Sequence, residues 1–432
     1  MIEDEKKYKR VAVFPAGSEI GLEINQALKY STFFDVVGLS SVSCHASYVF
    51  KEYYEGIPFY TAPDFIECLN LFIREKQIDF IYPAYDDVQL FLTEHEDRIK
   101  AKIVTSELRT VRICRNKSKT YDFFEHCSFI PKTYTCIDEI TTYPVFAKPD
   151  IGQGSHGIRL IHNEEEAMDA FCTQPKFIVC EYLPGDEFTI DCFTDCEGTL
   201  LACNMRNRKR IRNGISVASQ SLKMEPDVLE IANMINRNLK FCGAWFFQLK
   251  KNVEGNYRLL EIAPRIAGTM GLSRNTGINF PLLTLFAQSG FPVSVIQNQY
   301  SIEVDRALIS RYCLNLRYET VYVDLDDTLI IKQQVNTLLI MFLYQCVNAN
   351  KTIILLTKHL KDVKQTLEKH RITPALFNMI VKIAPDQNKT DYIKETASIF
   401  IDDSFSERKK VWEKCRIPVF DCSEVESLLD WR

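Results

Sequence analysis

A glycine-rich loop beside a lone lysine is the first stretch whose residue types could do chemistry. Its key members are Lys148, Gly152, Gly154, Ser155 and Gly157. One apolar run ends at Pro149 and another covers 158–161, so a strand is expected on each side. Glycines let main-chain N–H groups approach an anion closely, and the lysine adds a movable positive charge. The loop predicts phosphate binding, with a mobile hairpin carrying a solvated lysine as the alternative.

Two aspartates follow an apolar run much later in the chain. The run 321–323 leads into Asp324 and Asp326, and Thr328 comes two residues further on. One carboxylate at a strand end can attack phosphorus while the second, two residues along the same edge, donates and accepts protons. This spacing predicts phosphoryl-group chemistry.

Further polar residues follow this motif in a regular order. Thr357 ends the apolar run 353–356, Lys389 precedes a helix, and Asp402 and Asp403 follow the run 399–401. Polar capping of each strand end is the alternative, but it needs four coincidences. These positions therefore indicate a second phosphoryl site.

A third candidate is a polar pair inside two otherwise apolar strands. The runs 245–249 and 257–262 alternate with period two and are joined by a polar turn, which predicts a β-hairpin. Gln248 and Glu261 stand one on each strand. A buried polar pair is costly without a partner, and a hard divalent cation is a natural one. A solvated sheet face is the alternative.

The N-terminal part supplies the elements that would position such groups. Strands are expected at 11–14, 35–39 and 78–83, with helices at 20–30 and 62–76 between them. This alternation predicts an open parallel sheet, which binds ligands beyond the C-terminal ends of its strands. Those ends would bring Gly17, Ser18 and Glu19 near Asp86 and Asp87, unless these residues are ordinary turns and caps.

In order and spacing, these segments resemble the ATP-grasp superfamily over roughly residues 8–295. The branch is that of carbamoyl-phosphate-synthase-like and biotin-carboxylase-like enzymes. The resemblance implies an ATP site formed by Lys117, Lys148, Gly152, Gly154, Ser155, Gly157, Glu181, Tyr182, Leu183 and Glu187. The lysines would hold phosphates, 181–183 would meet the adenine and Glu187 the ribose. Gln248 and Glu261 would bind Mg²⁺, and Arg265 would face the developing phosphoryl charge.

Two positions depart from the family pattern. The family often has Glu-x-Asn-Pro-Arg, in which the Asn is a metal ligand, whereas this chain has Ala263 there. Related carboxylate–amine ligases of purine synthesis also carry Ala-Pro-Arg. Gln248 in place of a Glu lowers the negative charge around the metals by one. These departures keep a nucleotide- or metabolite-binding regulatory protein open as an alternative to an enzyme.

Arginines outside the ATP motifs are the candidates for substrate contacts. Arg212 ends a basic cluster that begins at Arg206 and is predicted to touch substrate or phosphate, with a solvated charge run as the alternative. Arg274 and Asn279 follow the metal strand, and they are predicted to hold the substrate carboxylate because arginine binds carboxylates bidentately.

Residues 318–432 resemble the haloacid-dehalogenase (HAD) superfamily, with all four motifs in order. The resemblance implies Asp324 as the nucleophile, Asp326 as the general acid/base, and Thr357 and Lys389 as phosphoryl contacts. A Mg²⁺ site would draw on Asp324, Asp326, Asp402 and Asp403. The short intervals between the motifs predict a Rossmann-like domain without a large cap.

Composition excludes several classes of protein. A formal net charge of -5 gives no bulk electrostatic reason to expect nucleic-acid binding. No run reaches the roughly 18 apolar residues that a membrane span needs, so a cytoplasmic protein is expected. The 15 cysteines are scattered and are expected to be reduced core residues, with Cys192 and Cys196 nearest to a cluster.

The expected architecture is multidomain, α/β and α+β. The predicted domains are 1–114 (an α/β domain preceding the ATP-grasp fold), 115–300 (ATP-grasp), a linker at 301–317, and 318–432 (HAD-like). The predicted activity is an ATP- and Mg²⁺-dependent ligase acting on a small-molecule carboxylate and amine, coupled to a phosphatase for a phosphorylated metabolite. An ATP-grasp kinase or carboxylase stays open, as does a homo-oligomer.

Overall fold

The computed structural model describes residues 8–152, 157–173, 177–212 and 214–432. Gly154 and Ser155 of the predicted phosphate loop lie outside the described residues. The chain divides into two compact units, Met1–Leu308 and Ile309–Arg432. This division falls inside the segment predicted as a linker. In the part of the chain that the structure describes, every helix is too short or too polar to cross a membrane.

The first unit begins with a five-stranded parallel sheet, as the alternating pattern predicted. Its strands are β1 (Lys9–Phe14), β2 (Phe34–Ser40), β3 (Glu52–Glu55), β4 (Phe80–Pro83) and β5 (Lys102–Ile103), in the order β3-β2-β1-β4-β5. Its helices are α1 (Glu19–Leu28), α2 (Phe65–Lys76), α3 (Asp86–Glu94) and α4 (Leu108–Arg115), followed by α5 (Lys117–Phe123). The central strands are continuous apolar runs because both faces of the sheet are buried.

A four-stranded antiparallel sheet carries the lysine and the glycine-rich loop. It consists of β6 (Thr133–Tyr134), β7 (Val145–Pro149), β8 (Arg159–Ile161) and β9 (Phe177–Glu181), in the order β6-β9-β7-β8, with α6 (Glu164–Cys172) packed on it. β7 and β8 pair antiparallel on either side of the loop, as predicted.

The rest of the first unit is built around a second antiparallel sheet. Its elements are β10 (Glu187–Thr194), β11 (Leu200–Asn207), β12 (Arg210–Arg212), β13 (Ile215–Gln220), α7 (Pro226–Asn238), β14 (Gly243–Lys251), β15 (Tyr257–Ala263), α8 (Gly271–Arg274), α9 (Phe280–Gln288) and β16 (Glu303–Asp305). The main sheet has the order β11-β10-β14-β15, and β12, β13 and β16 form a smaller sheet. The predicted hairpin is present as β14–β15.

The second unit is a five-stranded parallel sheet with its own core. Its elements are β17 (Thr320–Val323), β18 (Ile330–Ile331), β19 (Gln334–Val335), α10 (Thr337–Asn348), β20 (Thr352–Thr357), α11 (Val363–Lys369), β21 (Met379–Lys382), β22 (Ser398–Ile401), α12 (Phe405–Cys415) and β23 (Val419–Phe420). The strand order is β21-β20-β17-β22-β23. β17 therefore lies between β20 and β22. Because the three strands are parallel, their C-terminal ends lie side by side.

The cysteines depart from expectation at one pair. Cys196 and Cys242 form a disulfide with their Cα atoms 4.6 Å apart, so the prediction that all cysteines are reduced is wrong for these two. Thr194 and Gly243 are register partners on β10 and β14, and this pairing brings the residues just beyond them together. Cys136, Cys172 and Cys313 are free but exposed rather than in a core.

Candidate active sites

The polar pair of the β14–β15 hairpin lies at the meeting point of two cavities. Gln248 and Glu261 are direct cross-strand partners, and both side chains line both cavities. Both side chains are half-buried on the cavity walls. Carboxylate and amide oxygens side by side are donors that suit a hard divalent cation.

The first cavity has a volume of about 260 Å³ and contains most of the residues expected to hold ATP. The predicted residues that line it are Lys117, Lys148, Gly152, Glu181, Tyr182, Leu183 and Glu187. Gly157 is outside this lining, and its φ of 73° is a conformation that favours glycine. The glycine at 157 therefore serves the turn of the loop, which a side chain would strain.

Lys148 is a buried ammonium on β7. Its Nζ donates to the hydroxyl of Tyr121 and lies 4.9 Å from the centre of that ring. Burial lowers the pKa of Lys148, and the negative charge of Glu261 opposes this shift without cancelling it. A cation held in this way is suited to an incoming anion, because an anion would relieve the cost of burying it.

Lys117 joins the start of α5 to the glycine-rich loop. Its Nζ donates to the carbonyl of Gly152 at 3.3 Å, and the Asp150 carboxylate accepts from the N–H of Ser118 at 2.8 Å. Burial lowers the pKa of Lys117, while Glu261 opposes the shift. Lys117 lines both cavities, so it can reach a group that passes between them.

The second cavity has a volume of about 390 Å³ and opens at the C-terminal ends of β1 and β4. Ser18, Glu19 and Asp86 line it, which confirms the predicted grouping for these three residues. Ser18 caps α1 by accepting from the N–H of Gly21 and donates to the carbonyl of Ala84, each at 2.9 Å. The cap thus ties the β1–α1 turn to the end of β4.

Arg265 forms a two-point ion pair in the second cavity. Its Nε and Nη2 donate to the two carboxylate oxygens of Asp86 at 2.6 and 2.7 Å. Burial opposes both charges, but each partner outweighs it, so the pKa of Asp86 is lowered and that of Arg265 is raised. The guanidinium therefore stays charged beside Glu261, where phosphoryl charge was predicted to develop.

Arg208, a member of the basic cluster 206–212, lines both cavities. Its Nη1 donates to Glu187 at 2.5 Å and to Gln248 at 2.8 Å, and its Nη2 donates to the carbonyl of Gly214 at 2.7 Å. The basic cluster 206–212 was the available signal, but it pointed to Arg212. Arg212 is exposed and lines neither cavity, because its place in the cluster falls on β12, beyond the cavity wall.

The predicted carboxylate holders have structural partners instead. Arg274 donates from Nε to Glu23 at 2.9 Å, and Asn279 caps α9 by accepting from the N–H of Leu282 at 3.2 Å. Neither residue lines the first or the second cavity. Their polar atoms join helices of the first unit, and their contact with a substrate carboxylate stays a prediction.

The second unit brings its predicted motifs to one edge of its sheet. Oxygens of Asp324, Asp402 and Asp403 lie within 4.8 Å of one another, a spacing that suits a metal ion. Lys389 Nζ lies 2.6 Å from oxygens of both Asp324 and Asp402. Thr357 is buried at the end of the neighbouring β20.

Charge and burial compete at this cluster. Burial raises the pKa of Asp324 to about 6, against the lowering effect of Lys389 and with a further rise from Asp402. Burial also raises the pKa of Asp402. Burial disfavours the ammonium of Lys389, but the two carboxylates outweigh it and raise its pKa.

Asp326 lies apart from the metal cluster. It is exposed, and both of its oxygens are 2.9 Å from Nδ1 of His359, whose Nε2 is 2.8 Å from the Thr366 hydroxyl. Its predicted place among the metal ligands is not supported, because its carboxylate faces this histidine instead. His359 was not predicted, since its role depends on the path of the chain after β20.

The fold of the first unit is similar to that of known proteins. Residues of two antiparallel sheets line a cavity together with the buried Lys148 and the half-buried Lys117, and the β14–β15 hairpin of the second sheet contributes the polar pair. This arrangement is similar to the ATP-grasp fold. Residues 173–307 match the family model described as ATP-grasp in the biosynthetic pathway with Ter operon.

Known proteins resemble parts of the chain. It is 32% identical over 95 residues to D-alanine–D-alanine ligase of Fusobacterium nucleatum subsp. nucleatum, a match covering 22% of this chain and 33% of that protein. The chain thus spans one third of the length of this curated relative.

Solved structures share the fold at low identity. The biotin carboxylase domain of Hydrogenobacter thermophilus 2-oxoglutarate carboxylase, solved with MgADP, ADP and bicarbonate, has a TM-score of 0.57 at 15% identity, covering 69% of this chain and 74% of that one. N5-carboxyaminoimidazole synthetase of Staphylococcus aureus with ADP has a TM-score of 0.54 at 17% identity, covering 68% and 82%.

Proposed function

We propose that the first unit is an ATP- and Mg²⁺-dependent ligase that joins a small carboxylate to an amine or similar nucleophile. The observation that carries this proposal is the position of Gln248 and Glu261 where the two cavities meet. Lys117 and Arg208 line both cavities as well. A phosphoryl group held here would reach from a nucleotide in the first cavity to an acceptor in the second.

The residues present fit ATP and Mg²⁺. Gln248 and Glu261 supply the oxygens for the metal, which would neutralise phosphate charge when bound. Lys148 and Lys117 would bind the phosphates, the main chain and side chains of 181–183 would contact the adenine, and Glu187 the ribose. Arg208 would hold Glu187 and Gln248 in place through its contacts with both.

The reaction has two steps. A carboxylate oxygen attacks the γ-phosphorus of ATP, the bond from that phosphorus to the bridging oxygen breaks, and ADP leaves. The amine nitrogen then attacks the acyl carbon, phosphate leaves, and the nitrogen loses a proton. In both steps Arg265, Lys117 and Lys148 orient the reactants and balance the developing negative charge.

The related proteins include a ligase, a synthetase and a carboxylase domain, so the acceptor must be tested directly. Magnesium-dependent ADP release that requires both ATP and an organic carboxylate supports a ligase. ADP release with bicarbonate alone would favour a carboxylase, and a phosphorylated product that accumulates with no amine acceptor would favour a kinase. ATP binding without ADP under every mixture would favour the regulatory alternative.

We infer that the second unit hydrolyses a phosphomonoester by HAD-type chemistry. The supporting observation is the cluster of Asp324, Asp402, Asp403 and Lys389. An Asp324 oxygen attacks phosphorus, and the ester oxygen leaves with a proton from Asp326. Water then attacks the aspartyl-phosphate and gives a proton to Asp326, which releases phosphate. Lys389 and Thr357 hold the phosphoryl oxygens, and the three clustered carboxylates would bind Mg²⁺.

The two activities on one chain suggest consecutive steps, in which the phosphatase acts on the substrate or product of the ligase. Incubation of the ligase product, and of each phosphorylated form of its substrate, with the full chain would test this link. Phosphate release that is confined to compounds unrelated to the ligase reaction would contradict it.

A further inference from the structure

Arg206 is a buried arginine with one free nitrogen. It is 3% exposed, and its Nε and Nη2 donate to the two oxygens of the fully buried Asp191 at 2.8 and 3.1 Å. Among the described residues, Nη1 of Arg206 has no hydrogen-bond partner. Since leaving a buried donor unpaired costs free energy, this nitrogen is suited to an acceptor from outside the chain.

The position of Asp191 fixes how Arg206 presents that nitrogen. Asp191 on β10 and Arg206 on β11 are held in register by the pairing of Thr189 with Arg206. A two-point contact holds the guanidinium in one plane, so Nη1 cannot swing to another partner. The donor is preorganised before any ligand arrives.

A polar cleft of about 600 Å³ lies next to the second cavity, and Arg206 lines both. Two cations, Arg206 and Lys223, line the cleft, whereas its acid, Asp191, is already paired. Hydroxyl and amide side chains, including Ser221 and Asn204, make up much of the remaining wall. The charge and donors of the cleft therefore favour an anionic, oxygen-rich group.

We propose that this polar cleft binds a second oxyanion of the acceptor substrate, a carboxylate or a phosphate, through Arg206 and Lys223. The inference rests on the proposed ligase function. The reacting carboxylate would lie in the second cavity beside Arg265, and the rest of the substrate would extend past Arg206 into the cleft. The preferred acceptors are then dianionic compounds rather than simple carboxylates.

Matched pairs of acids test the proposal, with the full chain carrying Asp324→Asn so that phosphate esters persist. Succinate against succinamate probes a carboxylate, and 3-phosphoglycerate against glycerate probes a phosphate. Calorimetry in the presence of MgADP should give at least one dianion a roughly 10- to 100-fold tighter affinity than its partner, since charge-assisted hydrogen bonds are the strong ones. ADP release with ATP should follow the same preference.

Three variants test whether residues of the cleft cause this difference in affinity. Lys223→Met and Arg206→Lys should bring the ratio close to one, and the lysine keeps a charge beside Asp191 so that the fold is retained. Lys209→Met, an exposed member of the same basic cluster outside the cleft, should leave the ratio unchanged. If Arg206→Lys fails to fold, Lys223→Met alone decides.

Two outcomes separate this inference from the ligase proposal. The proposed role of the cleft would be wrong if both members of each pair bound with equal affinity. It would also be wrong if neither succinate nor 3-phosphoglycerate bound. If succinate or 3-phosphoglycerate bound with the expected affinity ratio but no mixture released ADP, the cleft would still be an oxyanion site and the proposed ligase activity would be wrong.

Discussion

Lys148 is a buried lysine whose charge lowers the stability of the fold and is proposed to bind phosphate. Its ammonium is buried against a tyrosine hydroxyl, and burial lowers its pKa. At neutral pH the charged form therefore costs the folded protein free energy, and that cost falls as the pH rises. A bound phosphate would supply the missing counter-charge.

Replacing this lysine should have opposite effects on activity and stability. We expect Lys148→Met to reduce ADP release by about 10²- to 10³-fold, the loss typical of removing one preorganised group. The melting temperature without nucleotide should stay the same or rise, because a buried charge is gone. Phosphatase activity on the same chain serves as the internal control. ADP release at the wild-type rate would mean that the lysine merely sits in a hairpin.

Asp324 is the residue of the second unit that we propose as the nucleophile. Asp324→Asn should reduce phosphate release from phosphomonoesters to background, because the amide cannot form the aspartyl-phosphate. Asp327→Asn makes the same charge change at an exposed neighbour and should leave the rate unaltered. Phosphate release by a malachite green assay checks both variants, and equal loss in both would argue against a nucleophile at 324.

The sequence anticipated site residues where a short motif determined their place. Lys148, Gln248 and Glu261 line the first cavity, and Asp324 and Lys389 lie together in the second unit, while their roles stay predictions. Long arginine side chains were harder to place, since their partners depend on strand register and on distant loops. Arg212 was selected from the basic cluster, whereas Arg206 and Arg208 line the cavities, and Arg274 pairs with Glu23 outside the first and second cavities.

At the scale of elements, the β14–β15 hairpin contains Gln248 and Glu261, the two residues proposed to bind Mg²⁺. Glu261→Gln should raise the Mg²⁺ concentration needed for half-maximal ADP release by at least about tenfold, because loss of a ligand oxygen charge weakens metal binding. Glu254→Gln, on the exposed turn of the same hairpin, is the matched control. A magnesium titration of ADP release compares the two. An unchanged requirement in Glu261→Gln would place the metal elsewhere.

Most strands and helices could be predicted because their apolar residues recur with a clear period. Their exact first and last residues could not be predicted from that period. The helix expected from 62 begins at Phe65, and the strand expected from 78 begins at Phe80. Gln77 adopts a left-handed conformation with φ of 52° and ends α2, so 78–79 serve as the connection. The short strand Thr133–Tyr134 has too few residues to give a period and becomes a strand only by pairing with β9.

At the scale of the whole molecule, each compact unit has its own hydrophobic core. Calorimetry should therefore show two unfolding transitions, with MgATP raising one of them. Phe342→Ala removes a ring that is 1% exposed in the core of the second unit. This change should cost about 3–5 kcal/mol and lower the other transition by roughly 10–20 °C. A single transition that moves as one in this variant would contradict independent units.

The ion pair between Asp86 and Arg265 has a consequence for how such chains diverge. The two residues are 179 positions apart in sequence, yet each neutralises the other beside the second cavity. During evolution neither can be exchanged alone without leaving an unpaired charge there, so the two codons should change together. A descendant in which both had become uncharged would be a good place to look for a new acceptor, and one that retained both should keep the ancestral reaction.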